Sequence, residues 1–168
     1  VVAGIWDPQL EKLFLARIKN AWSLEEIGHL VAVMKDQSKV KTELASVSQH
    51  RATSSVAIKN LIYALGIVGD KTALEQVKNY LQSPRSELRM AALYAVTHLD
   101  KSEGLKACGA ALRSAFVAER ALAASLCQHL AGGDLPDLFQ TLAREKLKHK
   151  KVFLFAHGKT KTVAGWYL

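Results

Sequence analysis

The sequence predicts an all-α fold, a right-handed α-solenoid of stacked antiparallel helix pairs, with a short β-hairpin at its C-terminal end. Three observations predict it. Helix start and stop signals recur every 12 to 18 residues. The apolar pattern of residues 62–82 returns at a shift of 31 residues and again at a further 30. Two short apolar, aromatic-bearing runs around a glycine-containing polar turn appear only near the C-terminus.

The elements follow in order. Asp7-Pro8 places an N-cap before a proline at the first helical position, and predicts a helix to about residue 20. Leu10, Leu13, Phe14 and Ile18 form its expected apolar face. Ser23 followed by Glu26 is a capping box, and opens a helix to about residue 35 with the stripe Ile27, Leu30, Val31 and Met34. A more polar helix is expected over residues 39–50. Residues 56–68 are strongly apolar and stop at Gly69-Asp70. Residues 72–82 follow, with Leu74, Val77 and Leu81 on one face. Ser83-Pro84 interrupts, and residues 88–99 form the next apolar helix before the turn at Asp100-Lys101. Residues 102–115 carry Leu105, Cys108 and Leu112. Residues 118–131 are rich in alanine and leucine and stop at Gly132-Gly133, a helix C-terminus signal. Asp134 caps a last helix over 135–149, with Leu135, Leu138 and Leu142.

Overlaying these segments gives the repeat. A shift of 31 carries Ile62 onto Leu93, Tyr63 onto Tyr94, Ala64 onto Ala95, Val68 onto Leu99, Leu74 onto Leu105, Val77 onto Cys108 and Leu81 onto Leu112. A further 30 carries Val96 onto Leu126, Leu105 onto Leu135, Cys108 onto Leu138 and Leu112 onto Leu142. Two helices per unit with one apolar grammar cannot bury their faces alone, so units stack. Ala64, Ala91, Ala92 and Ala95 let the first helix of each pair approach its neighbours closely.

Residues 62–70, followed by Ala73-Leu74, resemble the ALxxLGxxGDxxAL signature of HEAT-like repeats of the phycobilisome-lyase type. Residues 88–96 resemble the VRxxAAxAL signature that opens the next unit. The resemblance covers 54–115 well and 116–149 moderately; 1–53 match only as helical pairs. It implies a HEAT-like solenoid, and an inter-helix aspartate that bonds the next repeat, placing Asp70 and Asp100 in inter-repeat packing. It says little of function, because such repeats serve scaffolds, adaptors, chromophore lyases and nucleic-acid binders alike. Arg89 and Arg120 stand 31 apart and are read as serving the stack as well.

The end of the chain changes character. Residues 152–156 and 162–168 flank His157-Gly158-Lys159-Thr160-Lys161 as two strand-like runs. A lone hairpin is marginal in water, so it is expected to cap the last helices or to pair with another strand. The run Val1-Val2-Ala3-Gly4-Ile5-Trp6 is also strand-like, which opens oligomerisation through terminal strands. The expected domains are therefore a helical repeat domain over 1–149 and a basic hairpin or tail over 150–168.

Composition bounds the rest. With 168 residues, the chain is about one domain. Apolar residues at 49% and charged residues at 23% argue against intrinsic disorder. No apolar run reaches the ~20 residues of a membrane span, so a soluble helical domain is the expectation. Two cysteines do not make a disulfide framework. They fit a cytoplasmic setting, while export with a leader already removed stays open. The first residue is Val1, which reads as a processed product, a fragment or a chain lacking its start. The net charge of +8 is uneven, with +6 in residues 140–168 and +2 in residues 1–139. Such a segment attracts polyanions, or simply keeps a tail solvated.

Catalytic and metal signatures are not apparent. There is no C-x-x-C and no H-E-x-x-H, and the six histidines are scattered. His98 and His129 share a repeat position near helix C-termini, either as a stacked pair or as histidines favoured by the helix dipole. Gly158-Lys159-Thr160 lacks the first glycine of a phosphate loop, since Phe153 stands there. Cys108 and Cys127 read as core residues with no base beside them. No cofactor, no metal and no enzymatic activity are expected.

The leading expectation is a non-catalytic scaffold or adaptor whose concave face binds a partner protein. Helical spacing assigns that face to Asn79, Gln82, Lys106, Arg113, Gln140 and Arg144, with Glu75 on the same side. The alternative is nucleic-acid binding through Lys146, Lys148, Lys150, Lys151, Lys159 and Lys161, with Trp166 and Tyr167 available for base stacking. A chromophore-handling role rests on the resemblance alone.

Overall fold

A computed structural model describes residues 8–49 and 54–131, together with the backbone of 154–156 and 159–161. The first two stretches are built of helices: α1 (Pro8–Lys19), α2 (Leu24–Val33), α3 (Ser38–Gln49), α4 (Ser55–Val68), α5 (Leu74–Lys78), α6 (Ser86–Leu99), α7 (Lys101–Ala111) and α8 (Val117–Ala131). Leu154–Ala156 and Lys159–Lys161 pair antiparallel as β1 and β2, with Leu154 opposite Lys161. The helix expected over 135–149, the domain boundary beyond it and the remainder of the expected hairpin lie outside the described residues. No helix among the described residues is long and apolar enough to cross a membrane.

Caps set the helix boundaries. Ser23 accepts from the Glu26 amide at 3.1 Å, and the Glu26 carboxylate reaches back to the Trp22 amide at 2.9 Å. Ser54 caps α4, and Gly69 ends it with φ at +74°, a backbone region that favours glycine. Asp70 accepts from the Thr72 amide and hydroxyl at 2.9 and 2.7 Å, and Asp100 from the Glu103 amide at 2.9 Å. Both aspartates thus cap the helix that follows them, a local role rather than the bond to the next repeat that the resemblance implied. The single helix expected over 72–82 is α5 with a 3₁₀ turn on each side, Lys71–Ala73 and Asn79–Gln82.

α4 is the hub. It packs against α1, α2, α3 and α6, while α6 packs in turn against α5, α7 and α8. α7 also packs against α8. One core cluster runs from Ile18 and Leu44 through Leu61, Leu65 and Val77 to Ala95 and Leu99. A second gathers Leu93, Cys108, Leu112, Ala123, Leu126 and Cys127. Each fully buried leucine or isoleucine contributes about 1.5–3 kcal/mol relative to an exposed one. α6 carries residues of both clusters and so divides them. The expected small-residue contacts are present: Ala64, Ala91, Ala92 and Ala95 are all fully buried.

Two details differ from expectation, each for a stated reason. On α1, Leu10 and Leu13 are exposed, and the inward face is Glu11, Leu15 and Ile18. Glu11 turns inward because Lys39 pairs with it and the Asp36 amide donates to it at 3.0 Å. Asn60 is buried in α4, where an apolar residue would be expected. Its Nδ2 donates to the carbonyls of Ala21 at 3.0 Å and Lys19 at 3.3 Å, which closes the C-terminal end of α1 onto α4. Removing a buried donor strands those carbonyls, so Asn60→Ala is expected to cost about 1–3 kcal/mol in urea unfolding.

Candidate functional site

A cleft with both apolar walls and polar groups lies where α6, α7 and the start of α8 meet. Its volume is about 290 Å³. Leu81 and Gln82 form one wall, Ala107, Ala110 and Ala111 of α7 another, and Leu93, Arg89, Ser114 and Glu119 complete it.

Glu119 organises the polar side. It lies in the first turn of α8, where a carboxylate is favoured by the helix dipole. Only 5% of it is exposed. One oxygen accepts from Ser86 Oγ at 2.5 Å, Arg89 Nη2 at 2.5 Å and Arg89 Nε at 3.1 Å. The other accepts from Ser114 Oγ at 2.6 Å. Arg89 also donates to the Ser83 carbonyl at 2.6 Å and lies 5.1 Å from the centre of the half-exposed Phe116 ring. Residues of α6 are thus tied to α8 through one paired guanidinium and carboxylate.

Burial pushes the Glu119 carboxyl up, but the bonds from Arg89, Ser114 and Ser86 outweigh it and hold the group below the ordinary carboxylate range. The sign is that of a depressed acid. Its stabilisation is complete above the unfolded-state pKa and is lost as pH falls through the folded one. Acid unfolding scans are therefore expected to show Glu119→Gln converging on the parent protein as pH falls through the lowered pKa of Glu119, the gap between them opening toward neutral pH.

The repeat register explains half of this geometry. Arg120 stands 31 residues after Arg89 and makes the same backbone bond, to the Ser114 carbonyl at 2.5 Å, as Arg89 makes to Ser83. The second half differs. Arg89 finds Glu119 thirty residues on, whereas the position thirty residues after Arg120 is Lys150. Arg120 is 4% exposed, and among the described residues its buried Nη2 has no hydrogen-bond partner.

The expected inner-face residues fall into two groups. Asn79, Gln82, Lys106 and Arg113 are all exposed. Gln82 lines the cleft. Lys106 is held by Glu103 at 2.7 Å, and Glu103 is joined at 3.1 Å to Lys78, which also pairs with Glu75 at 3.1 Å. This chain of charges ties α5 to α7 and neutralises Lys106. The Lys106 and Lys78 bonds lower the Glu103 carboxyl, and the Glu75 and Glu103 bonds raise the Lys78 ammonium. Gln140, Arg144, Lys146, Lys148, Lys150 and Lys151 lie outside the described residues, as do Trp166 and Tyr167. Lys159 and Lys161 lie on β2, where only the backbone is described.

Sequence reasoning missed Glu119. The signal was present, because in register Glu119 takes the place of Leu88, which is buried. An acid in a slot that the repeat marks as apolar needs a buried cation, and Arg89 is that cation. Among the described residues no group of three or more His, Cys, Asp or Glu is gathered as a metal site. Compared with family models, with curated proteins and with solved structures, the chain matches none of them.

Proposed function

We propose that this chain is a non-catalytic interaction scaffold, a right-handed HEAT-like solenoid whose concave face receives a partner protein. The observation that carries the reading is the cleft between Leu81-Gln82 and α7, which the expected face residue Gln82 lines, with Asn79, Lys106 and Arg113 exposed on the same two segments and the turn after α7. Extended stacks of helix pairs use such faces for binding. The shared register of Ser83–Arg89 and Ser114–Arg120 supports the stack. In this reading Gln140 and Arg144 continue the face, and residues 150–168 cap its end.

The test uses the full chain as bait beside a variant with Asn79→Ala, Gln82→Ala, Lys106→Glu and Arg113→Glu. All four side chains are exposed, so the helical circular dichroism is expected to persist. The expected result is a protein that the parent retains after stringent washing and the variant loses at least about tenfold, a change of ~1.4 kcal/mol. Identical retention by both chains contradicts the reading.

The second reading is nucleic-acid binding through the basic segment, favoured by the +6 balance of residues 140–168. Fluorescence anisotropy with labelled oligonucleotides separates the two. Phosphate contacts release counterions, so this mode predicts affinity falling steeply as salt rises. It also predicts loss of binding when Lys146, Lys148, Lys150 and Lys151 are changed to Glu. The scaffold reading predicts neither.

A further inference from the structure

We propose that Cys108 and Cys127 form a redox-responsive thiol pair, which a hydroperoxide converts into a disulfide that staples α7 to α8. They are the chain's two cysteines, and the fold brings them to one place. Both are free thiols, 0% and 1% exposed. Both belong to the second core cluster, and their helices pack on each other. Within that core the Cys127 thiol hydrogen-bonds to the Cys108 sulfur.

Packing alone does not call for sulfur here. In the 31-residue register Cys108 takes the place of Val77 and Cys127 the place of Val96, both buried. One unit earlier, therefore, both slots are filled by valine. Free cysteine packs as a small hydrophobe, so what separates it from valine is its reactivity. The surroundings suit a bridge. Ala107 and Ala111 on α7, and Ala123 and Ala124 on α8, flank the two cysteines in the cluster. Small residues let two helix backbones approach within the reach of a disulfide.

The two sulfurs have different roles. The bond from Cys127 holds the Cys108 thiol below the ordinary thiol range, against the opposing effect of burial. The same bond, with burial, pushes the Cys127 thiol up. The thiolate is the nucleophile, so Cys108 attacks first. Its sulfur takes one oxygen of the hydroperoxide as the O–O bond breaks, and becomes a sulfenic acid. The other oxygen leaves with the Cys108 proton, as water or an alcohol. Cys127 then attacks that sulfur. The S–S bond forms, the S–O bond breaks, and the oxygen leaves as water with the Cys127 proton. The peroxide gains two electrons and the thiol pair loses two. Local opening between α7 and α8 admits so small an oxidant.

Hydrogen peroxide is the probe, added to the full folded chain near neutral pH. Trypsin cuts after Arg113 and Arg120, which separates the two cysteines. The expected result is a pair of tryptic peptides joined through Cys108 and Cys127 and released by dithiothreitol. The bridged chain is expected to keep its helical circular dichroism and to melt roughly 6–12 °C higher, a gain that dithiothreitol abolishes. Cys108→Ser and Cys127→Ser are each expected to form no internal bridge and to show no such gain. Two thiols still titratable in denaturant after overnight exposure overturn the proposal. So do sulfinic acids formed at the two positions without a joined peptide, and so does a bridged chain that melts below the reduced one.

Discussion

Replacing Glu119 by alanine is expected to cost about 3–5 kcal/mol, because it leaves the Arg89 guanidinium desolvated without its carboxylate. For a chain of this length that is a fall in Tm of roughly 6–20 °C, at 2–4 °C per kcal/mol. Four hydrogen bonds end on Glu119 of α8, and their donors come from α6 and from the segment before α8. The loss therefore loosens α8 from α6 rather than one side chain alone. Arg120 supplies the contrast. Among the described residues its buried Nη2 has no hydrogen-bond partner, so Arg120→Met removes an unsatisfied donor as well as the bond to Ser114. We expect that change to lie within about 1 kcal/mol of neutral or to stabilise. Thermal and urea unfolding of the two variants side by side check both statements.

Glycine-to-alanine changes are expected to divide by position. At Gly66 an added Cβ would lie 2.8 Å from the Ala95 Cα, and at Gly104 it would lie 2.7 Å from the Thr97 Cα. Both neighbours are backbone atoms, so the helices must separate. That overpacking costs about 1–3 kcal/mol, against a helix-propensity gain of about 0.8–1 kcal/mol. The net expectation for Gly66→Ala and Gly104→Ala is a loss of up to about 2 kcal/mol each. Gly28 and Gly109 are also helical, but an added Cβ meets nothing within 4 Å. Gly28→Ala and Gly109→Ala are expected to stabilise by up to ~1 kcal/mol. A common sign for all four in urea unfolding contradicts the close approach of α6 to α4 and α7.

Local features were readable where the physics is local. Ser23 caps α2 through the amide three residues on, as the capping box predicts. The caps made by Ser54, Asp70 and Asp100 were not read as caps in the sequence, although they too bond amides two or three residues away. Gly69 stops α4 by its own backbone angle. The 31-residue register was equally legible, and the paired bonds of Arg89 and Arg120 follow it.

What could not be read depends on partners far along the chain. α1 turns Glu11 inward and Leu13 outward because Lys39 and the Asp36 amide come from beyond α2. The two 3₁₀ turns around α5 also escaped the periodic pattern, because Leu74, Val77 and Leu81 suit a continuous helix as well. The candidate face was legible only in part. Helical spacing placed Gln82 on the expected face, and it lines the cleft, but the pairing of Lys106 with Glu103 was not legible in the spacing.

The account rests on successive helix pairs being joined into one body by the Arg89–Glu119 pair. A double-mutant cycle with Arg89→Met, Glu119→Leu and the combination, followed by urea unfolding, measures that joint directly. The account predicts non-additivity of about 1–3 kcal/mol, with the double variant more stable than either single loss implies. Losses that add to within about 0.5 kcal/mol would mean that the two residues act independently, and would contradict it.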